Sequence, residues 1–304
     1  MKQLVILSGK GGTGKTSVTA AFAHLSANDE RSIKSVFVDA DVDAANLSLV
    51  LNPEDPQTHE FWGGSLAEID QSMCIGCGAC VPVCRYDAIL PDFDHGQVYW
   101  IDPVACDGCA ACVYACPQEA ISMVKQQEGH WCQSKTPYGI LYHEELFPGR
   151  ENSGKLVTLI KQMARLDAEE TGSKMVIIDG PPGIGCPVIS ACAGADLGLI
   201  VTEPSMAGLH DLKRVLGTLQ HFHVPTVICI NKWDIYPDGV RQIQEYAAQQ
   251  DIELLGLIPF DDHILDAMLR GLPITVLYPD SPAAQAIKSI WDKVVLRLQN
   301  DLEK

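Results

Sequence analysis

The chain has 304 residues, twelve of them cysteine, and a formal net charge of −17. That length can bury a sizeable core and hold more than one domain. The acidic balance excludes a nucleic-acid partner, which needs clustered Lys and Arg, and no apolar run reaches the length of a membrane span.

Met1-Lys2 leads directly into the apolar run Leu4-Val5-Ile6-Leu7. That leaves no room for a cleaved leader, so a cytoplasmic protein is expected. The run ends at Gly9-Lys10-Gly11-Gly12-Thr13-Gly14-Lys15-Thr16. Residues 17–27 then repeat at helical spacing, with Val18, Ala21, Phe22 and Leu25 on one face. Strand, glycine loop and helix in that order form the setting of a phosphate-binding loop. Its backbone N–H groups wrap a triphosphate, Lys15 reaches the β- and γ-phosphates, and the Thr16 hydroxyl binds Mg²⁺. Gly11, Gly12, Thr13, Gly14 and Ser17 complete the expected ATP contacts. A second buried strand, Val36-Phe37-Val38, ends at Asp39-Ala40-Asp41-Val42-Asp43.

The rhythm breaks at about Pro53. Cys74-x2-Cys77-x2-Cys80-x3-Cys84 recurs 32 residues later as Cys106-x2-Cys109-x2-Cys112-x3-Cys116, and each copy runs on to an Ala-Ile pair. Thiolates at this spacing hold three corners of a [4Fe-4S] cubane, the fourth ligand coming from the other run. The expected sets are Cys74, Cys77, Cys80 and Cys116 for cluster one, and Cys106, Cys109, Cys112 and Cys84 for cluster two. Zinc also takes four thiolates, but does not need eight cysteines in a crossed pattern. Residues 64–124 therefore read as an inserted small α+β two-cluster domain, and 125–150 as a return hairpin or linker. Residues 1–60 and 145–304 read as one discontinuous nucleotide domain.

Further strands are expected at 175–178, 198–201, 226–230 and 254–258, with amphipathic helices between. Continuous apolar strands alternating with helices indicate a doubly wound parallel sheet. Asp179-Gly180-Pro181-Pro182-Gly183 and Asn231-Lys232-Trp233-Asp234 each follow a strand, where such sheets bind ligands. The apolar face of 282–304 (Ile287, Ile290, Trp291, Val294, Leu298) is expected to pack on the domain, because Lys288, Lys293 and Arg297 are offset by Asp292, Asp301 and Glu303. No stable membrane anchor is expected.

Lys10, directly after the first glycine of the loop, makes this a deviant Walker A motif. It resembles the P-loop NTPase group containing MinD, ParA, Mrp-type ATPases and the nitrogenase iron protein. The cysteine repeat resembles bacterial two-cluster ferredoxins, with Arg85 where that family usually has proline. The resemblance implies an ATP-dependent homodimer, or a heterodimer with a similar chain, in which Lys10 reaches the partner's ATP. It also implies that Asp41 orients the attacking water, that Asp179 and Asp39 lie on the Mg²⁺ side, and that Asn231 reads the adenine edge. Cys186, alone or with Cys192, resembles cysteines that bridge a cluster across such a dimer; the alternative reading of both is a small buried thiol. The leading expectation is ATP hydrolysis gating electron transfer from two [4Fe-4S] clusters to a redox partner. The alternatives are ATP-dependent metallocluster assembly with a cluster-receiving partner, and a positioning ATPase with a redox sensor.

Overall fold

The computed structural model describes residues 1–42, 44–92, 98–149 and 152–300, so Asp43, Asp301 and Glu303 lie outside the described residues. β1 (Lys2–Ser8) runs through the glycine loop into α1 (Lys15–Ala27). β2 (Ser35–Asp39) follows, then the short α2 (Leu47–Leu51) and β3 (Glu54–Phe61). Next come β4 (Gly64–Ile69), β5 (Ile89–Asp92), β6 (Val98–Ile101), α3 (Ala111–Ala115) and β7 (Ile121–Gln126). The strands β8 (Gly129–Thr136) and β9 (Gly139–Leu146) precede α4 (Ser153–Thr171), β10 (Met175–Pro182) and α5 (Cys186–Cys192). The chain ends with β11 (Leu197–Thr202), α6 (Met206–His221), β12 (Thr226–Asn231), α7 (Pro237–Gln249), β13 (Glu253–Ile258), α8 (Asp262–Leu269), α9 (Ile274–Leu277) and α10 (Pro282–Asn300). These elements form two compact units: Met1–His59 with His130–Glu145 and Ser153–Lys304, and Glu60–Gly129 with Leu146–Asn152.

The larger unit is organised by a nine-stranded sheet of order β13-β12-β11-β1-β10-β2-β9-β8-β3. From β13 to β9 every neighbour is parallel. Both faces are apolar, as strands covered on two sides must be. One face carries Leu4, Ile6, Phe37, Ile177 and Leu199 into a core with Phe22 of α1 and Trp291 of α10, whose rings lie 5.1 Å apart. Val5, Leu7, Val36, Val38 and Ile178 alternate onto the other face and are equally buried. α10 buries Ile287, Ile290, Trp291, Val294 and Leu298 in the core, as its spacing predicts. Among the described residues no helix is long and apolar enough to cross a membrane.

The sheet departs from the all-parallel expectation at one side. β8 and β9 are joined by Pro137-Tyr138 alone, and so short a connection forces an antiparallel pair. Thr136 Oγ1 donates to the Gly139 carbonyl across this turn at 2.7 Å. β9 then pairs parallel with β2, so the predicted return hairpin is part of the sheet rather than a linker. The break in rhythm at Pro53 is followed directly by β3, which starts at Glu54.

The smaller unit has two antiparallel pairs, β4 with β7 and β5 with β6. Its core is Ala67, Cys80, Ile89, Cys112 and Ile121, with Ile69, Cys84, Tyr99, Ile101, Cys106 and Cys116 packed against it. Cysteines thus fill much of the space that aliphatic side chains fill elsewhere.

Candidate functional site

The glycine loop lies at the C-terminal end of the parallel strands. Gly12 and Gly14 take φ of +77° and +94°, which residues with a Cβ rarely adopt. A Cβ at Gly14 would also collide with the Asn231 amide. α1 starts at Lys15, whose Nζ lies 3.3 Å from Asp179 Oδ1 and 3.4 Å from Asp41 Oδ2. Thr16 Oγ1 donates to Asp179 Oδ2 at 2.7 Å, and Thr19 Oγ1 to Asp179 Oδ1 at 2.9 Å. Asp179 and Asp39 are register partners on β10 and β2. Asp39 accepts from the backbone N–H of Leu47 at 2.9 Å and of Asp41 at 3.3 Å.

Burial and the neighbouring Asp179 carboxylate push Asp39 up to about 8. Burial also works against the Lys15 ammonium, but Asp179, Asp41 and Asp39 together outweigh it and raise its pKa. The loop lysine and the three acidic residues form one buried charge cluster in which negative charge exceeds positive. A divalent cation beside Thr16, Asp179 and Asp39 would offset that excess. Thr13 Oγ1, buried without a hydrogen-bond partner, supplies a further polar atom at the loop. These residues fit Mg²⁺ and a triphosphate.

Asn231 is placed differently from expectation. Its Nδ2 donates to the Thr13 carbonyl at 2.8 Å and its Oδ1 accepts from the Lys232 N–H at 2.9 Å. Lys232 Nζ donates to the Gly12 carbonyl at 3.1 Å. Both side chains brace the loop. A cavity of about 540 Å³ opens beside it, lined by the loop, Asp41, Asn231 and a wall containing Pro259, Phe260, Ile264, Leu265 and Met268. Its size and mixed lining suit a nucleotide. Sequence reasoning missed this wall. The available signal was Pro259-Phe260-Asp261-Asp262, directly after a parallel strand, where ligand loops belong. Asp234 fixes that loop by accepting from the Phe260 N–H at 2.7 Å. A larger cavity of about 680 Å³ is lined by residues of α1 and α10, where Arg31 pairs with both Asp29 and Asp292.

Lys10 is not aimed at the loop. Its ammonium forms an ion pair with Glu203, directly after β11.

The eight repeat cysteines sort into two separate small cavities in the smaller unit. Cys74, Cys77, Cys80 and Cys116 line one, with Ile69, Tyr99 and Ile121. Cys84, Cys106, Cys109 and Cys112 line the other, with Ala67, Ile89 and Ile101. Burial pushes the Cys80 and Cys112 thiols up, and neighbouring cysteines add to it. Among the described residues no three His, Cys, Asp or Glu side chains converge on a single ion-sized point. Each foursome stands around a shared space instead. Of the other cysteines, Cys186 is exposed, Cys132 is half-buried, and Cys192 and Cys229 are buried. Burial holds Cys192 at about 11 and Cys229 at about 12. Cys192 thus sits as a small core thiol, whereas Cys186 is accessible.

A family model described as the CobQ/CobB/MinD/ParA nucleotide binding domain matches residues 4–274. The chain belongs to this family. It is a P-loop ATPase of the MinD/ParA superfamily, an ATP-hydrolysing enzyme. It is 33% identical over 292 residues to the uncharacterized protein MJ0578 of Methanocaldococcus jannaschii, covering 96% of both chains. It is 32% identical over 161 residues to the iron-sulfur cluster carrier protein of Pyrococcus horikoshii, a match spanning 48% of this chain and 53% of that one. The cell division ATPase MinD of Pyrococcus furiosus shares the fold, with a TM-score of 0.59 at 21% identity, covering 96% of this chain and 98% of that one.

In this MinD/ParA-type ATPase, Asp179 lies in β10, which leads through residues 183–185 into α5, and α5 is fastened to α4 at both ends. A Cβ at Gly154 would come within 3.3 Å of Cys186 and 3.2 Å of Ser190 Oγ, so the two helices touch there without a spacer. Lys161 Nζ, buried, donates to the carbonyls of Ser190, Ala191 and Ala193 at 2.6, 2.8 and 2.9 Å. Burial lowers its pKa to about 8, while the carbonyl end of a helix favours its charged form.

The ATPase also carries an unpaired carboxyl. Glu144 of β9 is buried, and neither oxygen has a hydrogen-bond partner. Burial, with the nearby Asp39, raises its pKa well above the ordinary glutamate value. An acid that keeps its proton when folded and loses it when unfolded makes stability fall as pH rises above about 4.3. Glu144→Met is expected to remove that slope and to stabilise the protein by about 1–3 kcal/mol at neutral pH. Urea unfolding at pH 5 and 7 measures both effects, and an unchanged slope would show that another group causes it.

Proposed function

We propose that this ATPase is an ATP-dependent iron–sulfur or other metallocluster assembly factor whose smaller unit holds two [4Fe-4S] clusters. The observation that carries this reading is the sorting of eight cysteines into two cavities, each matching one crossed ligand set, on the same chain as an ATPase site. The half-length similarity to an iron-sulfur cluster carrier protein supports the cluster chemistry. Cys74, Cys77, Cys80 and Cys116 would hold one cluster, and Cys106, Cys109, Cys112 and Cys84 the other. When bound, such clusters supply one-electron chemistry.

In the nucleotide site, Lys15 and the N–H groups of residues 11–17 hold the phosphates. Thr16, Asp179 and Asp39 hold Mg²⁺, which offsets phosphate charge. Asp41, buried beside Lys15, orients the attacking water. Asn231 keeps the loop in shape from the base side. The working form is an ATP-dependent dimer of this chain, or a heterodimer with a similar one, in which Lys10 reaches the second triphosphate. Cys186 is the thiol accessible to a cluster shared across such a dimer.

The test is anaerobic loading with iron and sulfide, followed by mixing with a metal-free acceptor protein. Iron arriving on the acceptor is followed with MgATP, with a non-hydrolysable analogue and with neither. Transfer that requires hydrolysis is expected. If iron stays on the chain throughout while electrons reach the acceptor, the assembly reading is lost.

A second reading, ATP-gated electron transfer to a redox partner, is favoured by one observation. Cys80, Cys112 and several other repeat cysteines belong to the hydrophobic core of the smaller unit, which suits resident clusters better than cargo.

A further inference from the structure

We propose that Glu203 is a positioning residue of the ATPase, one that holds Lys10 in cis and competes with the triphosphate for its ammonium. The ion pair joins the loop to the end of β11. Neither partner is locked in the interior: 39% of the Lys10 side chain and 18% of the Glu203 side chain are exposed. The backbone around the pair is fixed. Ser8 Oγ donates to the Lys10 carbonyl at 2.9 Å. A Cβ at Gly9 would overlap Asp211 of α6, so the loop has no room to shift on that side. Glu203 Oε1 accepts from Ser205 Oγ at 3.2 Å, and that hydroxyl also caps α6 by accepting from the Gly208 N–H at 2.9 Å.

Glu203 is a charged carboxylate in this setting. Burial pushes its pKa up, but Lys10, Ser205 and Lys232 outweigh that and bring it below the ordinary glutamate value. Lys232 is also a loop contact, through the Gly12 carbonyl. Glu203 therefore faces two lysines that border the phosphate site. A triphosphate arriving there brings several negative charges within reach of the same ammonium groups. Lys10 can then serve the phosphate or Glu203, but a single compact ammonium does not serve both at full strength. Exchange of Lys10 from Glu203 to phosphate becomes a step between nucleotide binding and turnover, whichever subunit supplies that phosphate. A part-exposed pair of this kind is weak enough to be broken by the incoming charge.

The inference rests on the reading that Lys10 reaches a triphosphate, and a double-mutant cycle separates the two. Glu203→Gln keeps the side-chain shape and the Ser205 contact, and removes only the charge. It is expected to raise kcat/KM for ATP about two- to five-fold, the size of a part-exposed ion pair. Lys10→Ala is expected to lower it. In the Lys10→Ala background, Glu203→Gln is expected to change nothing, an epistasis that a merely structural role would not produce. Glu203→Asp, one methylene short of Lys10, should behave like Glu203→Gln. An acceleration by Glu203→Gln that survives in Lys10→Ala would overturn the positioning role while leaving the reading of Lys10 intact. So would a loss of turnover in Glu203→Gln. If Lys10→Ala alone leaves turnover unchanged, both the Lys10 reading and the inference fall.

Discussion

Replacement of Lys15 by Ala is expected to lower kcat/KM for ATP by about 10³-fold, the scale of losing a preorganised electrostatic contact to the transferring group. The same change carries a stability cost that distinguishes this site from an exposed one. Lys15 Nζ is the buried counter-ion of Asp179 and Asp41. Its removal leaves Asp179 and Asp39 side by side with no cation. Breaking a buried pair from one side costs about 3–5 kcal/mol, and here the lower end applies because Asp39 accepts a proton readily. The deficit should therefore shrink as pH falls from about 9 to about 7, through the Asp39 value of about 8, since protonation removes the repulsion. It should also shrink on adding Mg²⁺, which replaces the lost positive charge. Denaturant unfolding of wild type and variant, at two pH values with and without Mg²⁺, measures each effect. A deficit insensitive to both would mean that Lys15 stabilises by packing its methylenes and not as a counter-ion.

A second large effect is expected in the smaller unit. If the two cavities each hold a cluster, Cys84→Ser should reduce bound iron from about eight to about four atoms per chain. The atoms lost should belong to the cavity of the second cysteine run, because Cys84 lines that cavity with Cys106, Cys109 and Cys112. Cys116→Ser should empty the other one. Iron analysis together with EPR of the reduced protein resolves this. Uncrossed loss, with Cys84→Ser disturbing the Cys74–Cys80 signals, would contradict the assignment. Removing all metal should do more than abolish the signals. The core of this unit contains Cys80 and Cys112 and few large aliphatic residues. Metal binding is then folding free energy for residues 60–129. Chelation under anaerobic conditions is expected to make this region protease-sensitive while the larger unit, with its own core, keeps ATP binding. Uniform protease resistance after chelation would show that the smaller unit folds on apolar packing alone.

The nucleotide loop, the central strands and the cysteine repeat were legible because each is written locally. A glycine loop between a strand and a helix, a run such as Leu4-Val5-Ile6-Leu7, and cysteines three residues apart need no knowledge of distant neighbours. What escaped was written non-locally. β3, as Glu54-Asp55-Pro56-Gln57-Thr58-His59-Glu60-Phe61, is exposed along nearly its whole length. It lies at the end of the strand order and lacks the apolar signature of a covered strand. β8 and β9 mix buried Trp131, Tyr142 and Glu144 with polar residues, so they resemble a loop until their place beside β2 is known. Asn231 lines the cavity beside the loop, but its hydrogen bonds to Thr13 and Lys232 could not be read from spacing. The Lys10–Glu203 pair joins residues just past the ends of β1 and β11, neighbours in the sheet but far apart in the chain, and no periodicity announces it.

The fastening of α4 to α5 sets the kind of movement open to the ATPase. With Gly154 seated on Cys186 and Lys161 gripping the last carbonyls of α5, neither helix can tilt alone without emptying a contact or stranding a buried ammonium. Any displacement that begins in the connection between β10 and α5 must then carry both helices together, as a short sliding stroke and not as a swing about a hinge.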